Sequence, residues 1–214
     1  MIASQRIRVA LVDDHSMVRE ALAMVLNAET DIEVVAQGGS CEETEAILDA
    51  NEIDVLVLDY NLPDGSALDV LARLEEQGRE LRVLVLTIHD SVHYALRTLK
   101  AGACGFLIKS SAVEELVSAI RCVWDGDTYV TPKYRGRVLS QTRKPRSHRT
   151  GLGSLSDREF LILRELAAGK SLKETAFTHN IGISTVSTYR SRIMKKLRLD
   201  TTSELIRFAL ENGI

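Results

Sequence analysis

Polar side chains that can do chemistry follow or end four short apolar segments of this sequence: Asp13, Asp14, Asp59, Thr87 and Lys109. Three carboxylates brought together repel one another unless a cation neutralises them. Carboxylate oxygens suit a hard divalent cation, and Mg²⁺ is the usual one. A hydroxyl and an amine facing the carboxylates can hold the oxygens of a phosphoryl group. The set therefore predicts phosphoryl transfer to a carboxylate.

The segments that precede these residues have the pattern of strands covered on both faces. They are short, apolar and rich in β-branched residues, and they span residues 7–12, 32–36, 55–58, 81–87 and 105–108. Stretches with a period of 3.6 residues lie between and after them, and Ser40 with Glu43 predicts a capping box at the second of these helices. Five strands alternating with five helices predict an α/β domain with a doubly wound five-stranded parallel sheet. The carboxyl ends of its strands share one edge, where the chemistry-bearing residues should meet.

Regular patterns stop at Thr131 and resume near Ser154. Pro132, Gly136 and later prolines and glycines interrupt this stretch, which predicts a linker without helix or strand. Four helices follow. The capping pairs Ser156/Glu159, Ser171/Glu174 and Thr201/Glu204 open three of them, and the remaining helix spans about residues 183–197.

Composition excludes several classes of protein. The chain has 214 residues, of which 45% are hydrophobic and 27% are charged, as in ordinary globular domains. Its apolar runs are far shorter than the roughly 20 residues of a membrane helix, and no signal-peptide core follows Met1. Cys41, Cys104 and Cys122 have no CxxC spacing, which argues against a disulfide or zinc framework. These features predict a cytoplasmic protein with no membrane partner.

Charge is divided unevenly along the chain. Residues 1–130 carry 10 basic and 23 acidic side chains, whereas residues 131–154 carry 7 basic and no acidic ones. Residues 155–214 carry 10 basic and 7 acidic side chains. This asymmetry indicates that only the second half meets a polyanion.

Two short helices joined by a tight turn, the second of them basic, suggest a helix-turn-helix over residues 171–197. Hydroxyl side chains form most of one face of the second helix: Ser184, Ser187, Thr188 and Ser191. Cations suited to phosphates lie on the same helix: Arg190, Arg192, Lys195 and Lys196. A solvated basic helix in a small bundle explains the same charges, so the pattern alone leaves that alternative open.

Residues 6–127 resemble a response-regulator receiver domain, a flavodoxin-like fold. The resemblance rests on residues 12–15 (VDDH), 58–65 (LDYNLPDG), 86–87 (LT) and 101–109 (AGACGFLIK). It implies that Asp59 accepts a phosphoryl group from the phosphohistidine of a sensor histidine kinase. It also implies that Lys109 pairs with the phosphoryl oxygens, and that Thr87 binds them and moves inward. Phe106 is then the switch aromatic.

The same resemblance implies a set of Mg²⁺ ligands. Asp14 binds the metal directly, Asp13 binds mostly through water, Asn61 supplies its backbone carbonyl, and Asp59 is a further ligand.

Residues 152–212 resemble a LuxR-type helix-turn-helix domain, on residues 155–159 (LSDRE), 166–169 (LAAG), 173–176 (KETA) and 185–190 (TVSTYR). Together the two resemblances are those of the NarL/FixJ arrangement. In that family the residues after the Thr-Val pair face bases, which here are Ser187, Thr188 and Ser191. This chain departs from the family pattern at Ser187, where lysine is frequent, and at Thr175 and His179, which are usually apolar.

The sequence therefore predicts a receiver domain over residues 1–130, a basic linker over 131–151 and a DNA-binding domain over 152–214. Its partners are a sensor histidine kinase, double-stranded DNA and a second copy of the chain after phosphorylation, with RNA polymerase a further candidate. One rival is a receiver-controlled module whose second half binds protein. The other is a Mg²⁺-dependent aspartyl-phosphate hydrolase, and Asn61 argues against it because such hydrolases usually carry an acid at that place.

Overall fold

The computed structural model describes residues 6–142, 151–179, 181–212 and 214. The chain divides into two compact units, one over Met1–Asp90 and Tyr94–Gly136 and the other over Ser91–His93 and Arg137–Ile214. The residues 143–150 of the predicted linker lie outside the described part.

The first unit alternates strands and helices in the predicted order. Its strands are β1 (Ile7–Val12), β2 (Ile32–Gly38), β3 (Val55–Asp59), the short pair β4 (Asn61–Leu62) and β5 (Gly65–Ser66), β6 (Arg82–Thr87), β7 (Gly105–Ile108) and β8 (Tyr129–Val130). Its helices are α1 (Ser16–Asn27), α2 (Cys41–Ala50), α3 (Ala67–Glu76), α4 (Val92–Lys100) and α5 (Ala112–Trp124). A further helix, α6 (Pro132–Thr142), follows β8.

The main sheet is parallel, with strand order β2-β1-β3-β6-β7-β8. The doubly wound parallel sheet is confirmed, but the prediction of five strands is wrong by one. The sixth strand is only two residues long, too short to show a periodicity, and it pairs with β7 through Tyr129 and Val130. The chain reverses its direction of travel across the sheet between β1 and β3, the position at which such folds place their sites.

Strand β3 shows why these apolar runs form central strands. All five of its residues are buried. Val55 and Val57 belong to the apolar cluster formed with α1 and α5, whereas Leu56 and Leu58 are equally buried outside that cluster. Both faces of the strand are therefore covered, and Asp59 is held at its rigid carboxyl end.

Helix α6 corrects the prediction that no regular element follows Thr131. Pro132 occupies the first helical position, where its missing N–H costs nothing. Tyr134 and Val138, one turn apart, are both buried. The Tyr134 hydroxyl and the Lys133 ammonium both donate to the Asp90 carboxylate, the latter at 2.5 Å. These contacts outweigh the low helix propensity of Gly136.

We expect Tyr134→Phe to lower the free energy of unfolding of the first unit by about 1 kcal/mol, since the hydrogen bond to Asp90 is lost and the ring is kept. The measurement is urea unfolding followed by the fluorescence of Trp124, the single tryptophan of the chain. Lys133→Ala is the matched control, because its exposed ion pair contributes less. Equal losses in the two variants would contradict the role of the buried tyrosine.

The second unit contains the four predicted helices: α7 (Asp157–Ala167), α8 (Leu172–Thr178), α9 (Ile183–Leu197) and α10 (Thr202–Glu211). The capping boxes of α7, α8 and α10 are confirmed, each with the cap hydroxyl and the Glu carboxylate in reciprocal hydrogen bonds. At α2, Ser40 Oγ accepts from Glu43 N as predicted, but the Glu43 carboxylate accepts from Gly39 N instead of Ser40 N.

Among the described residues, no helix combines the length and the apolar character needed to cross a membrane.

Candidate functional site

Lys109 joins two carboxylates at the carboxyl edge of the main sheet. Its Nζ lies 2.6 Å from Asp13 Oδ2 and 2.7 Å from Asp59 Oδ2. Asp13 follows β1, Asp59 ends β3 and Lys109 follows β7, so three strands of the sheet position these groups. All three side chains are largely buried, with the Lys109 side chain 11% exposed and that of Asp59 6%. The edge therefore holds a buried ion triad.

Burial and pairing act in opposite directions in this triad. Burial raises the pKa of Asp59, and the Lys109 ammonium offsets only part of that rise. Burial also acts to lower the pKa of Lys109, but its hydrogen bonds to Asp13 and Asp59 outweigh burial and leave the pKa raised. The ammonium is therefore firmly charged, while burial makes the ionised form of Asp59 costly.

Asp14 and His15 complete a group of possible metal ligands with the two buried carboxylates. One ligand atom from each of Asp13, Asp14, His15 and Asp59 lies within 4.8 Å of the others. Asp13 Oδ1 accepts from the His15 backbone N–H, and His15 Nδ1 lies 2.6 Å from Asp14 Oδ1. The structure thus brings all three predicted carboxylates together.

Thr87 and Asn61 are each bound to the same residue, His89. Thr87 is fully buried at the end of β6, and its hydroxyl oxygen accepts from the His89 N–H at 3.0 Å. Asn61 Nδ2 lies 3.0 Å from His89 Nε2. The end of β6 and the residue that follows Tyr60 are thus joined through one histidine.

A stack of three rings supports His89. Its ring is stacked on Tyr94 of α4, with centroids 4.4 Å apart, and Tyr94 meets Tyr60 edge to face at 4.7 Å. Tyr60 directly follows Asp59, and both tyrosines are fully buried. The stack therefore links α4 to the residue beside Asp59.

Phe106, the predicted switch aromatic, lies on β7 and is fully buried. The ring of Tyr134 lies beside it, with centroids 6.4 Å apart. Rotation of Phe106 on phosphorylation stays a prediction.

In the second unit, Val186 and Ile193 of α9 are fully buried, and the predicted hydroxyl face lies on the opposite side. Ser184, Thr188 and Ser191 are exposed and Ser187 is half-buried. The Thr188 hydroxyl donates to Ser184 O and the Ser191 hydroxyl to Ser187 O. Since each hydroxyl proton is used within the helix, the oxygens of Thr188 and Ser191 present acceptor lone pairs outward.

The predicted phosphate-binding cations of α9 differ in their surroundings. Arg192 and Lys195 are exposed and Arg190 is half-buried. Lys196 Nζ lies 2.6 Å from Glu159 Oε2, a carboxylate whose side chain is only 4% exposed. Lys196, whose side chain is 41% exposed, is thus a predicted phosphate ligand that already pairs with a buried carboxylate of its own unit.

The packing of the second unit accommodates Thr175 and His179, the two polar residues at positions that are usually apolar in the family. Thr175 is fully buried and its hydroxyl donates to Ser171 O at 2.9 Å. His179 caps the end of α8, and burial, together with the charge of Arg158, lowers its pKa.

Both units match known families. Residues 9–121 match the model of the response regulator receiver domain, and residues 153–209 match that of the bacterial regulatory proteins of the LuxR family. Oxygen regulatory protein NreC of Staphylococcus epidermidis is 34% identical over 97% of this chain and 98% of its own length. The chain is a response regulator of the NarL/FixJ family. It is a DNA-binding regulator of transcription.

Other relatives agree with this assignment. Response regulator UvrY of Escherichia coli K12 is 29% identical over 97% of this response regulator and 95% of its own length. The crystal structure of the response regulator ChrA, from a heme-sensing two-component system, superposes with a TM-score of 0.52 at 31% identity, covering 96% of this chain and 97% of that one. RcsB of Salmonella typhimurium shares the fold, with a TM-score of 0.77 at 21% identity over 98% of this chain and 100% of that one.

The acidic cluster of this response regulator is of the kind at which receiver domains bind Mg²⁺. The sequence pattern gives His15 no role and places His89 at the rim of the site, but it does not predict the packing of His89 with Tyr60 and Tyr94. The spacing of the sequence indicates that His89 lies near the site, because it follows Thr87 by two residues at the same strand end. No local pattern shows that Tyr94 of α4 reaches it, because that contact depends on how the helix packs.

Proposed function

We propose that Asp59 accepts a phosphoryl group from the phosphohistidine of a sensor histidine kinase, and that the phosphorylated chain binds DNA as a homodimer. The observation that carries this proposal is the Lys109 ammonium bound to both Asp13 and Asp59 at the carboxyl edge of the sheet. In a dimer, two copies of α9 would bind two half-sites of the DNA. A promoter-bound dimer makes RNA polymerase a further partner, and the cytoplasm, where the chromosome lies, is the proposed location.

The transfer forms a bond between an Asp59 carboxylate oxygen and phosphorus and breaks the bond between phosphorus and the imidazole nitrogen of the kinase. That nitrogen leaves with its electron pair. Asp59 must be ionised to attack, and Lys109 favours the ionised form against the cost of burial. Once the acyl phosphate forms, the ammonium can turn to the phosphoryl oxygens, because the Asp59 carboxyl group has lost its negative charge.

The residues present fit a magnesium ion, since oxygen atoms of three carboxylates lie within reach of one position. Asp14 and Asp59 would hold it directly, Asp13 through water and Asn61 by its carbonyl. When bound, Mg²⁺ neutralises charge on the phosphoryl oxygens. The chemistry of the protein is in this proposal limited to accepting the group and releasing it by hydrolysis, which differs from turnover by a classical enzyme.

We expect Asp14→Ala to weaken Mg²⁺ binding more than Asp13→Ala does. Both oxygens of Asp13 already have neighbours, since Oδ1 accepts from the His15 N–H and Oδ2 lies 2.6 Å from Lys109 Nζ, which suits a residue that reaches the metal through water. Isothermal titration of each variant with MgCl₂ gives the comparison. Equal losses in affinity would refute the division of roles.

On DNA, the exposed cations Arg192 and Lys195 suit phosphates, which bind without regard to sequence. The outward lone pairs of Thr188 and Ser191 can accept from the amino groups of adenine or cytosine, but a single hydroxyl oxygen cannot make a bidentate pair. We therefore propose a degenerate consensus in which half-site spacing contributes much of the specificity.

One experiment tests the proposal as a whole. The purified full-length chain is incubated with a random DNA pool, with and without Mg²⁺ and beryllofluoride, and the bound sequences are read. Enrichment of paired half-sites that depends on beryllofluoride supports the proposal. Absence of enrichment under both conditions contradicts it and favours a second unit that binds protein.

A further inference from the structure

The first turn of α7 contacts both helices of the helix-turn-helix, α8 and α9. Two adjacent residues make these contacts, Arg158 and Glu159. Arg158 donates from its guanidinium to the backbone carbonyl of His179, the residue that caps α8, at 3.0 Å. Glu159 accepts from Lys196, in the last turn of α9, at 2.6 Å.

The Glu159 carboxylate is buried, with 4% of the side chain exposed. Its Oε2 also accepts from the Ser156 N–H at 2.7 Å, which completes the capping box of α7. Burial acts to raise the pKa of Glu159, but the bonds from Lys196 and Ser156 outweigh it and leave the pKa lowered. The carboxylate is thus charged, and Lys196 is its counter-charge.

From this geometry we infer that Arg158 and Glu159 form a brace that sets the angle between α8 and α9, and that Lys196 is a positioning residue of the brace. The inference rests on the proposed binding of DNA by α9. It separates Lys196 from Lys195, its neighbour in sequence: both side chains are exposed, but Lys195 has no ion pair among the described residues, whereas Lys196 pairs with Glu159.

A phosphate contact by Lys196 is electrostatically unfavourable. If its ammonium moved to DNA, the Glu159 carboxylate would stay buried without a counter-charge, which is costly. Lys196 therefore acts on DNA binding through the orientation of α9, and Lys195 acts through its charge.

The two roles give opposite results in a salt series. A phosphate contact releases counterions, so losing it flattens the plot of log K against log salt by about one unit and lowers affinity for all sequences alike. Losing a positioning residue changes how base contacts are made, so it lowers the preference for the selected site and leaves the salt slope in place.

The experiment compares Lys196→Met with Lys195→Met in the full-length chain, on the selected site and on a scrambled site, across salt concentrations. For Lys195→Met we expect a flatter slope and an unchanged ratio of the two affinities. For Lys196→Met we expect an unchanged slope and a ratio that falls by tenfold or more. A flattened slope in Lys196→Met with the ratio intact would overturn the inference.

A third variant covers the case in which Lys196→Met does not fold, as judged by its Tm and circular dichroism. In Glu159→Gln/Lys196→Met no charge is left buried, and the Gln side-chain oxygen can still accept from Ser156 N. We expect this double variant to fold and to show the reduced ratio with an unchanged slope. A ratio equal to that of the wild type would overturn the brace. If the wild type itself selects no site, the proposed DNA binding fails, which is a separate result.

Discussion

Asp59→Asn is expected to abolish phosphorylation of the chain by acetyl phosphate and Mg²⁺. The amide keeps the size of the side chain and the hydrogen-bonding oxygen at Lys109, but it has no anionic oxygen to attack phosphorus. Intact-protein mass spectrometry measures the fraction that carries one phosphoryl group. Asp49→Asn is the matched control, an exposed acid paired with Arg79, and it should be labelled like the wild type.

Retention of the label in Asp59→Asn would refute the assignment. Loss of the label in Asp49→Asn as well would indicate damage to the fold instead of loss of a nucleophile, and unfolding curves of both variants would show it.

Lys109→Met is expected to lower the free energy of unfolding of the first unit by about 3–5 kcal/mol at neutral pH, the usual cost of leaving a buried charge without its partner. Asp13 and Asp59 would then face each other with no cation between them. Urea unfolding followed by Trp124 fluorescence gives the value.

The pH dependence of that loss has a definite sign. Burial already raises the pKa of Asp59, and without Lys109 that pKa lies further above its unfolded value, so the folded chain holds this proton more tightly. The deficit should be small at acidic pH, where Asp59 is protonated, and grow as pH rises. Adding Asp59→Asn to Lys109→Met should restore most of the stability. A deficit that is independent of pH and of Asp59 would show that the cost comes from packing alone.

The parts of the fold that follow from the sequence are those with local causes. The apolar run of β3 and the reciprocal caps of α7, α8 and α10 each depend on residues within one element or one turn of it. The meeting of Asp13, Asp59 and Lys109 also follows, because strand ends in a parallel sheet share an edge.

The missed features depend on partners distant in the chain. Helix α6 forms because Tyr134 reaches Asp90, across 44 positions of sequence. Lys196 looks like a phosphate ligand when charges are counted along α9, and only the packing of α7 against that helix brings Glu159 to it. The spacing of Tyr134 and Val138 after Pro132 is a helical signal, but the charge and the glycine of that stretch obscured it.

The charges of the site around Lys109 do not balance without a metal ion. Asp13, Asp14 and Asp59 with the Lys109 ammonium leave a net charge of −2, which one divalent cation balances. Replacing the carboxylate of Asp59 by a phosphoryl dianion makes the balanced site more negative by about one charge. That excess charge calls for a further hydrogen-bond donor. Thr87 ends β6, which lies between β3 and β7, and its hydroxyl proton can be that donor. In that case the phosphoryl group on Asp59 activates the protein through its added charge and not through its size. On this view Asp59→Glu, which lengthens the side chain without adding charge, should fail to activate the protein.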